Sequence, residues 1–168
     1  MTFKVRRAEP GDDAAVGEVL VRGYVTAYAQ KMPYVVVGEQ RRKDLRAVAE
    51  KRAVATVLVG ELDGQVVGTV AIFRPGAETS EAWLDNAADL RHLATDPSVQ
   101  GRGFAGPLLD EAERIARDEW RVAAICLHVR NGNRGVARLY QARGYVRDPK
   151  GDLAYPEVSL DAYALRFF

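Results

Sequence analysis

Residues 100–106 read Gln-Gly-Arg-Gly-Phe-Ala-Gly and join a predicted strand to a predicted helix. Glycine residues in such a turn allow backbone N–H groups to crowd around an anion at the positive end of the helix. The pattern therefore predicts a phosphate-binding loop. A second interpretation stays open, because a glycine-rich turn also permits tight packing of a strand against a helix.

The same residues contain Gly101-x-Gly103-x-x-Gly106, the glycine spacing of a dinucleotide-binding loop. In that fold the glycines directly follow the first strand, and an acidic residue ends the next strand. Here residues 96–99 intervene, and the corresponding strand end is Arg130, which suits a 2′-phosphate. NADPH is thus an alternative ligand, although an antiparallel hairpin precedes the loop where parallel units are required. No Lys-Ser or Lys-Thr follows the last glycine, which excludes a Walker loop.

Composition limits the classes of protein to consider. The 168 residues are 48% hydrophobic and 28% charged, which predicts one domain over residues 1–168. A formal charge of +1 gives no electrostatic reason for nucleic acid or an anionic membrane as partner. One cysteine, Cys126, and two histidines, His92 and His128, exclude a disulfide framework and a structural zinc cluster. No apolar run is long enough to cross a membrane, so we expect a cytoplasmic location.

Apolar periodicity predicts a mixed α/β chain in which a hairpin precedes alternating helices and strands. Asp63-Gly64 between two Val-rich segments is a strong hairpin signal, and Gly144 stands where a helix C-terminus favours a left-handed residue. Parity along the third long strand places Asp89 on the same face as Thr95. The predicted strands are 3–8, 54–61, 65–73, 89–95, 122–129, 145–146 and 163–168, and the predicted helices are 13–31, 39–52, 108–120 and 133–143.

The glycine loop resembles the pyrophosphate loop of the GNAT (GCN5-related N-acetyltransferase) family, written Gln or Arg-x-x-Gly-x-Gly or Ala. Gln100, Gly103 and Ala105 fit this pattern. Residues 127–145 are similar to a second family motif, in which an asparagine near a helix start contacts the cofactor. In that motif a tyrosine seven residues later lies beside the thioester sulfur. Asn133 and Tyr140 have this spacing, and the resemblance extends over most of the chain.

The resemblance implies an α/β (α+β) fold with a mixed, mostly antiparallel central sheet that is splayed between strands 4 and 5 and flanked by helices. It also implies acetyl-CoA as co-substrate, without a metal. The resemblance further implies that the strand backbone of residues 93–95 aligns the pantetheine arm and that the glycine loop holds the pyrophosphate. The implied cofactor-binding residues are Leu93, Ala94, Thr95, Gln100, Gly101, Arg102, Gly103, Phe104, Ala105, Gly106, Asn133 and Tyr140.

Transfer to an amine requires the uncharged nucleophile. An amine with a pKa of about 10.4 is neutral about once in 10³ molecules at pH 7, and unassisted deprotonation costs about 4.6 kcal/mol. A general base is therefore expected. Asp89 stands where some members of the resembling family keep a glutamate base. His128 precedes Tyr140 by twelve residues, which matches the glutamate of members that acetylate protein N-termini. Each residue also has a structural interpretation. Asp89 can be a partner at a strand edge, and His128 can be a core histidine beside Cys126.

Tyr140 is the candidate general acid, because its phenol can protonate the departing thiolate. Its ring has a structural alternative in packing along an amphipathic helix. Cys126 lies inside an apolar strand, where a thiol is usually a small inert hydrophobe with a raised pKa. We therefore expect no acyl-cysteine intermediate.

The sequence thus predicts an acetyl-CoA-dependent N-acetyltransferase that moves the acetyl group directly to an amine through a ternary complex. An acyl-CoA-binding sensor or regulatory module of the same fold is the alternative, because no glutamate occupies either family position of the base. The segments expected to choose the acceptor, Gln30 to Gly38, Pro75 to Asn86 and Arg147 to Val158, contain no motif. The expected acceptor is therefore a small-molecule or peptide amine, and the expected assembly is a monomer or a homodimer.

Overall fold

The computed structural model describes residues 2–168, which form eight strands and five α-helices. The elements are β1 (Phe3–Arg7), α1 (Asp13–Lys31), α2 (Glu39–Arg46), α3 (Val48–Val54), β2 (Thr56–Leu62), β3 (Gln65–Phe73), β4 (Ala87–Thr95), α4 (Ala105–Arg114), β5 (Ala124–Arg130), α5 (Arg134–Ala142), β6 (Val146–Arg147), β7 (Leu153–Ala154) and β8 (Ser159–Arg166). Within the described part of the chain, no helix is both long and apolar enough to cross a membrane.

The chain divides into two compact units. The first runs to Ile72 and resumes over His92–Ala112, and the second consists of Phe73–Arg91 and Glu113–Phe168. Strand β4 contributes its N-terminal residues to the second unit and its C-terminal residues to the first.

The first unit has antiparallel strands in the order β1-β2-β3, with the end of β4 beside β3. Asp63 and Gly64 both have positive φ, 49° and 86°, which confirms the predicted hairpin turn. Two strand glycines admit bulky side chains onto the sheet. A Cβ at Gly60 would lie 2.6 Å from Cζ of Phe3, and one at Gly68 would lie 2.9 Å from Cδ1 of Leu108.

The second unit holds the parallel strand pair. Strand β4 pairs with β5 from Ala87 opposite Ala124 to Leu90 opposite Leu127. Strand β8 pairs antiparallel with β5, β6 and β7. Residues 124–127 are fully buried, as their apolar run predicts. The mixed, mostly antiparallel α/β fold expected from the sequence is confirmed.

Two helices differ from their sequence predictions. The single helix predicted over 39–52 is broken at Ala47, whose ψ of 57° separates α2 from α3. The sequence has no helix breaker there, but α1 passes so closely that a Cβ on Gly17 would lie 3.2 Å from Cα of Arg46. The helix predicted over 108–120 begins earlier, at Ala105, and its last turn, Ile115–Glu119, is a π-helix.

An ion-pair network joins the strand β1 to the turn before α1. Arg6 donates two hydrogen bonds to the Asp12 carboxylate, at 2.7 and 3.0 Å, and two to Oε1 of Glu61, at 3.1 and 2.9 Å. Hydrogen bonds from the Arg6 guanidinium lower the pKa of Asp12 and of Glu61 below their ordinary values of 3.8 and 4.5. Both carboxylates are thus stabilised in their ionised form.

This network predicts acid-sensitive stability. Because the folded-state pKa values are depressed, the contribution is present above the ordinary pKa values and is lost as the pH falls through the folded-state values. We expect Arg6→Met to unfold at lower urea concentration than the wild type at about pH 6, and the gap to close towards about pH 3. Arg117→Met, which removes an exposed pair with Asp118, is the control and should change little. Parallel wild-type and Arg6→Met curves across this pH range would contradict the assignment.

Candidate functional site

The glycine loop before α4 has the backbone of an anion cradle. Gly101 and Gly103 adopt positive φ of 79° and 81°, a region that side chains rarely occupy. Left-handed residues in a loop that leads into a helix allow successive N–H groups to converge on one anion. The first turn of α4, beginning at Ala105, adds the unpaired N–H groups of a helix N-terminus.

The space above the glycines distinguishes the two interpretations of the loop. No heavy atom of residues 2–168 lies within 4 Å of a Cβ built at Gly101, Gly103 or Gly106, apart from each glycine's own chain neighbours and, for Gly106, the adjacent backbone of α4. Gly60 and Gly68, by contrast, are glycines that packing requires. Close packing of strand on helix therefore does not explain the loop glycines, and the space above them is open to a ligand.

Aromatic packing holds the loop in place. The ring of Phe104 stacks on Phe3, with centroids 4.3 Å apart and planes 13° from parallel. The Arg102 guanidinium carbon lies 5.2 Å from the Phe104 ring centroid. The loop therefore carries a positive charge beside its backbone donors.

The C-terminal end of β4 is supported by α1. A Cβ at Gly23 would lie 3.3 Å from Cβ of Ala94 and 3.3 Å from the carbonyl oxygen of Thr95, so the helix approaches the strand closely. Asp96, the next residue, forms a 2.5 Å ion pair with Arg22, and its side chain caps the following turn. Ala94 is buried and its neighbours Leu93 and Thr95 are half-buried. The strand end that precedes the loop is thus anchored by two neighbouring residues of α1.

Strand β4 does not keep regular alternation. His92 has a φ of 57°, a left-handed conformation that is uncommon for a residue other than glycine and that interrupts the pleat of a strand. The parity argument that placed Asp89 and Thr95 on one face depends on unbroken alternation. That argument therefore fails at His92.

Asn133 is the N-cap of α5. Its side-chain oxygen accepts the N–H of Val136 at 3.4 Å, after a left-handed Gly132 that turns the chain into the helix. The residue expected to contact the cofactor thus also begins the helix that carries Tyr140.

Tyr140 is 5% exposed and packs edge-on against Tyr145, with ring centroids 5.4 Å apart. The Tyr145 hydroxyl donates to Oε2 of Glu113 at 3.1 Å, and Arg143 donates to both oxygens of the same carboxylate. Burial raises the pKa of Tyr145 well above 10.0, and the neighbouring Glu113 charge raises it further. This network fixes the aromatic surroundings of Tyr140.

Asp89 is fully buried. Its Oδ2 accepts hydrogen bonds from Nε and Nη2 of Arg91, at 2.8 and 2.6 Å, and from the backbone N–H of Glu81 at 2.8 Å. Its Oδ1 has no hydrogen-bond partner within residues 2–168. Burial raises the pKa of Asp89, and the Arg91 charge opposes that rise. Asp89 therefore anchors Arg91 and the backbone at Glu81 from inside the fold.

His128 is half-buried, in contrast to Asp89. Its Nε2 lies 2.7 Å from the carbonyl oxygen of Gly151, and its ring makes an edge contact with Trp83 at 5.2 Å. Cys126, two residues earlier on β5, is fully buried, and burial raises the pKa of its thiol. The accessible titratable group of this pair is the imidazole.

Sequence reasoning did not single out Gly151 or the Glu81 backbone, which hold His128 and Asp89. For Gly151 the only signal was the turn-forming sequence Asp148-Pro149-Lys150-Gly151. Nothing in the sequence pairs this turn with a histidine 23 positions away. Within residues 2–168, no group of three or more His, Cys, Asp or Glu is arranged to hold a metal ion.

Comparison with known proteins identifies the family. A model of the acetyltransferase (GNAT) family matches residues 19–145. A mycothiol acetyltransferase from Brachybacterium faecium is 39% identical over 92 residues, which are 53% of this chain. The chain spans about a quarter of the length of that relative, since the match covers 25% of it.

Solved structures share the fold. A GNAT acetyltransferase from Staphylococcus aureus Mu50 superposes with a TM-score of 0.74 at 13% identity, covering 99% of this chain and 100% of that one. The PaiA N-acetyltransferase from Thermoplasma acidophilum, solved with coenzyme A, gives 0.70 at 16% identity, covering 96% and 98%. With the family model matching most of the sequence, the chain belongs to the acetyltransferase (GNAT) family.

Proposed function

We propose that this chain is an N-acetyltransferase that transfers the acetyl group of acetyl-CoA directly to a small-molecule or peptide amine in a ternary complex. The observation that carries the proposal is the open glycine loop, with left-handed Gly101 and Gly103 in front of α4. Family membership and the acetyltransferase name of the curated relative support it. A single domain, acting as monomer or homodimer, is part of the same proposal.

The residues present suit a CoA pyrophosphate. Backbone N–H groups of residues 100–106 donate to the phosphate oxygens, and the charge of Arg102 balances theirs. The anchored backbone of Leu93, Ala94 and Thr95 aligns the pantetheine arm. Asn133 contacts the arm through its side-chain N–H groups, because its oxygen caps α5. Bound acetyl-CoA supplies an activated thioester.

The reaction needs one proton acceptor and one proton donor. The acceptor ammonium loses one proton to a base, the neutral nitrogen forms the C–N bond and releases its second proton to solvent, and the C–S bond breaks. Tyr140 gives its phenolic proton to the departing thiolate and is reprotonated from solvent. The products are the amide, CoA thiol and one proton. Positioning and hydrogen bonds to the developing oxyanion supply much of the acceleration in such acyl transfers.

Two side chains were candidate bases, and their surroundings favour His128. A base must come within hydrogen-bond reach of the proton it takes, directly or through one water. Asp89 is fully buried and its Oδ2 already accepts three hydrogen bonds. His128 is half-buried, and one of its two ring nitrogens, Nε2, lies at the Gly151 carbonyl. We assign the proton transfer to His128 and the support of Arg91 to Asp89.

Acetylation itself is tested by following CoA release with a panel of amines, comprising spermidine, lysine, an aminoglycoside and peptides with free N-termini. Turnover above the rate of acetyl-CoA hydrolysis with any member supports the enzyme. Binding of acetyl-CoA without turnover across the panel would instead identify the acyl-CoA sensor.

The glycine loop predicts selective stabilisation by CoA. At about 100 times the dissociation constant, CoA and acetyl-CoA should each add about 2.7 kcal/mol and raise the unfolding midpoint by several degrees, whereas NADPH should not. Gly106→Val should fold normally, because the added side chain meets open space, but should lose the CoA shift. Gly11→Val, at an equally open glycine, is the control and should keep it. A shift with NADPH alone, or an undiminished CoA shift in Gly106→Val, refutes the assignment.

Tyr140 and Tyr145 allow a matched comparison. Tyr140→Phe keeps the edge contact of the ring and removes the proton donor, so kcat should fall by about 10²-fold while the KM for acetyl-CoA changes little. Tyr145→Phe removes a buried hydrogen bond to Glu113 and should lower the free energy of unfolding by about 1 kcal/mol with kcat unchanged. Steady-state kinetics and urea unfolding of both variants check this. Equal effects on kcat would assign Tyr140 to packing.

A further inference from the structure

The hydrogen bond of His128 determines which ring nitrogen carries its proton. A carbonyl oxygen only accepts, so the 2.7 Å contact between Nε2 and the Gly151 oxygen requires hydrogen on Nε2. In the neutral ring, Nδ1 then carries the lone pair. His128 is thereby held in the form that accepts a proton at Nδ1.

Trp83 fixes the position of that carbonyl. A Cβ at Gly151 would lie 2.1 Å from Cδ2 of Trp83, so the indole rests directly on the backbone of the turn. The indole Nε1–H donates to Oδ2 of Asp148 at 2.9 Å, while Oδ1 of Asp148 caps the same turn at Lys150. The Trp83 ring also meets the His128 ring at an angle of 62°. Turn, indole and imidazole therefore hold one another in a closed arrangement.

A carboxylate also anchors the turn. Asp152 ends the Gly151 turn and accepts two hydrogen bonds from Arg147 and one from the N–H of Ala162, which lies opposite His128 on β8. Hydrogen bonds from Arg147 lower the pKa of Asp152. Asp152 therefore ties the turn that carries the Gly151 carbonyl to Arg147 and to β8.

We propose that Trp83 and the Gly151 carbonyl are positioning groups that hold His128 as the Nε2–H tautomer and so make Nδ1 the proton acceptor for the amine. This inference rests on the proposed acetyl transfer. In the step, an N–H bond of the acceptor ammonium breaks and its proton moves to Nδ1. The neutral nitrogen then bonds to the acetyl carbon and loses its second proton to solvent as the C–S bond breaks. His128 then returns that proton to solvent, and the released CoA receives its own from Tyr140.

Glutamine separates a structural histidine from a catalytic one. In His128→Gln the side-chain amide can still donate to Gly151, but no group remains to take a proton. A structural role predicts unchanged kcat. The proposal predicts an unchanged unfolding midpoint, an unchanged KM for acetyl-CoA, and a fall in kcat of about 10²- to 10³-fold.

The nature of the nucleophile provides a second readout. Hydroxylamine is largely neutral at pH 7.5 and needs little help to lose a proton before attack, unlike an alkylamine. With the alkylamine that the wild type acetylates fastest, the kcat of His128→Gln should fall by the full 10²- to 10³-fold. With hydroxylamine, its kcat should fall by less than about tenfold. Equal losses of kcat with both nucleophiles, or no loss with either, would overturn the assignment of His128 as the base. Absence of wild-type turnover on every amine would instead overturn the proposed function, and with it the catalytic role of His128.

The positioning groups are tested with ¹⁵N NMR of the imidazoles. Only two histidines are present, so His92→Asn assigns the remaining signals to His128. The wild type should show a protonated Nε2 and an unprotonated Nδ1. Trp83→Phe, which loses the bond to Asp148, should show a tautomer mixture and about tenfold lower kcat at unchanged acetyl-CoA KM. Trp120→Phe, at the second of two tryptophans, is the matched control and should change neither. A dominant Nδ1–H tautomer in the wild type, or a Trp83→Phe variant that behaves like the control, would overturn the proposal.

Discussion

The close approach of α4 to the sheet of the first unit is the constraint on which the loop depends. Leu108 packs onto strand positions where Gly60 and Gly68 provide no side chain, and it is fully buried there. A methyl group at Gly68 would force the Leu108 side chain to shift, because its Cδ1 lies 2.9 Å from the Cβ position. The helix begins three residues earlier, directly after the glycine loop. The absence of side chains at Gly60 and Gly68 therefore lets α4 approach the sheet closely. This approach in turn determines where the backbone N–H groups at the N-terminus of α4 lie.

Local chemistry explains which elements the sequence predicted well. The turn at Asp63-Gly64 and the helix from Asp13 to Lys31 depend on residues close in sequence, and both were predicted at or near their observed bounds. The break at Ala47 and the left-handed His92 were not predicted. Alanine favours helix and histidine tolerates a strand, so neither residue signals a break. Contacts with distant parts of the chain set such conformations, and no short window of sequence contains them.

Spacing identified the candidate residues of the site but not their surroundings. Asp89 and His128 were equal candidates in the sequence, and burial separates them, since one is enclosed by Arg91 and backbone while the other is half-buried. The oxygen of Asn133 caps a helix, a task that its motif position does not reveal. The contact of Trp83 with Gly151 joins segments 68 positions apart in sequence, and only the folded chain brings them together.

The state of Cys126 has a practical consequence for work with thioesters. Its thiol is fully buried and its pKa is raised, so at neutral pH it is both protonated and shielded from solvent. Such a group neither competes for acetyl groups nor oxidises readily, and the folded protein should remain homogeneous without added reductant. Thiol-reactive dyes can therefore report released CoA continuously in native samples, with unfolded chains as the remaining source of background.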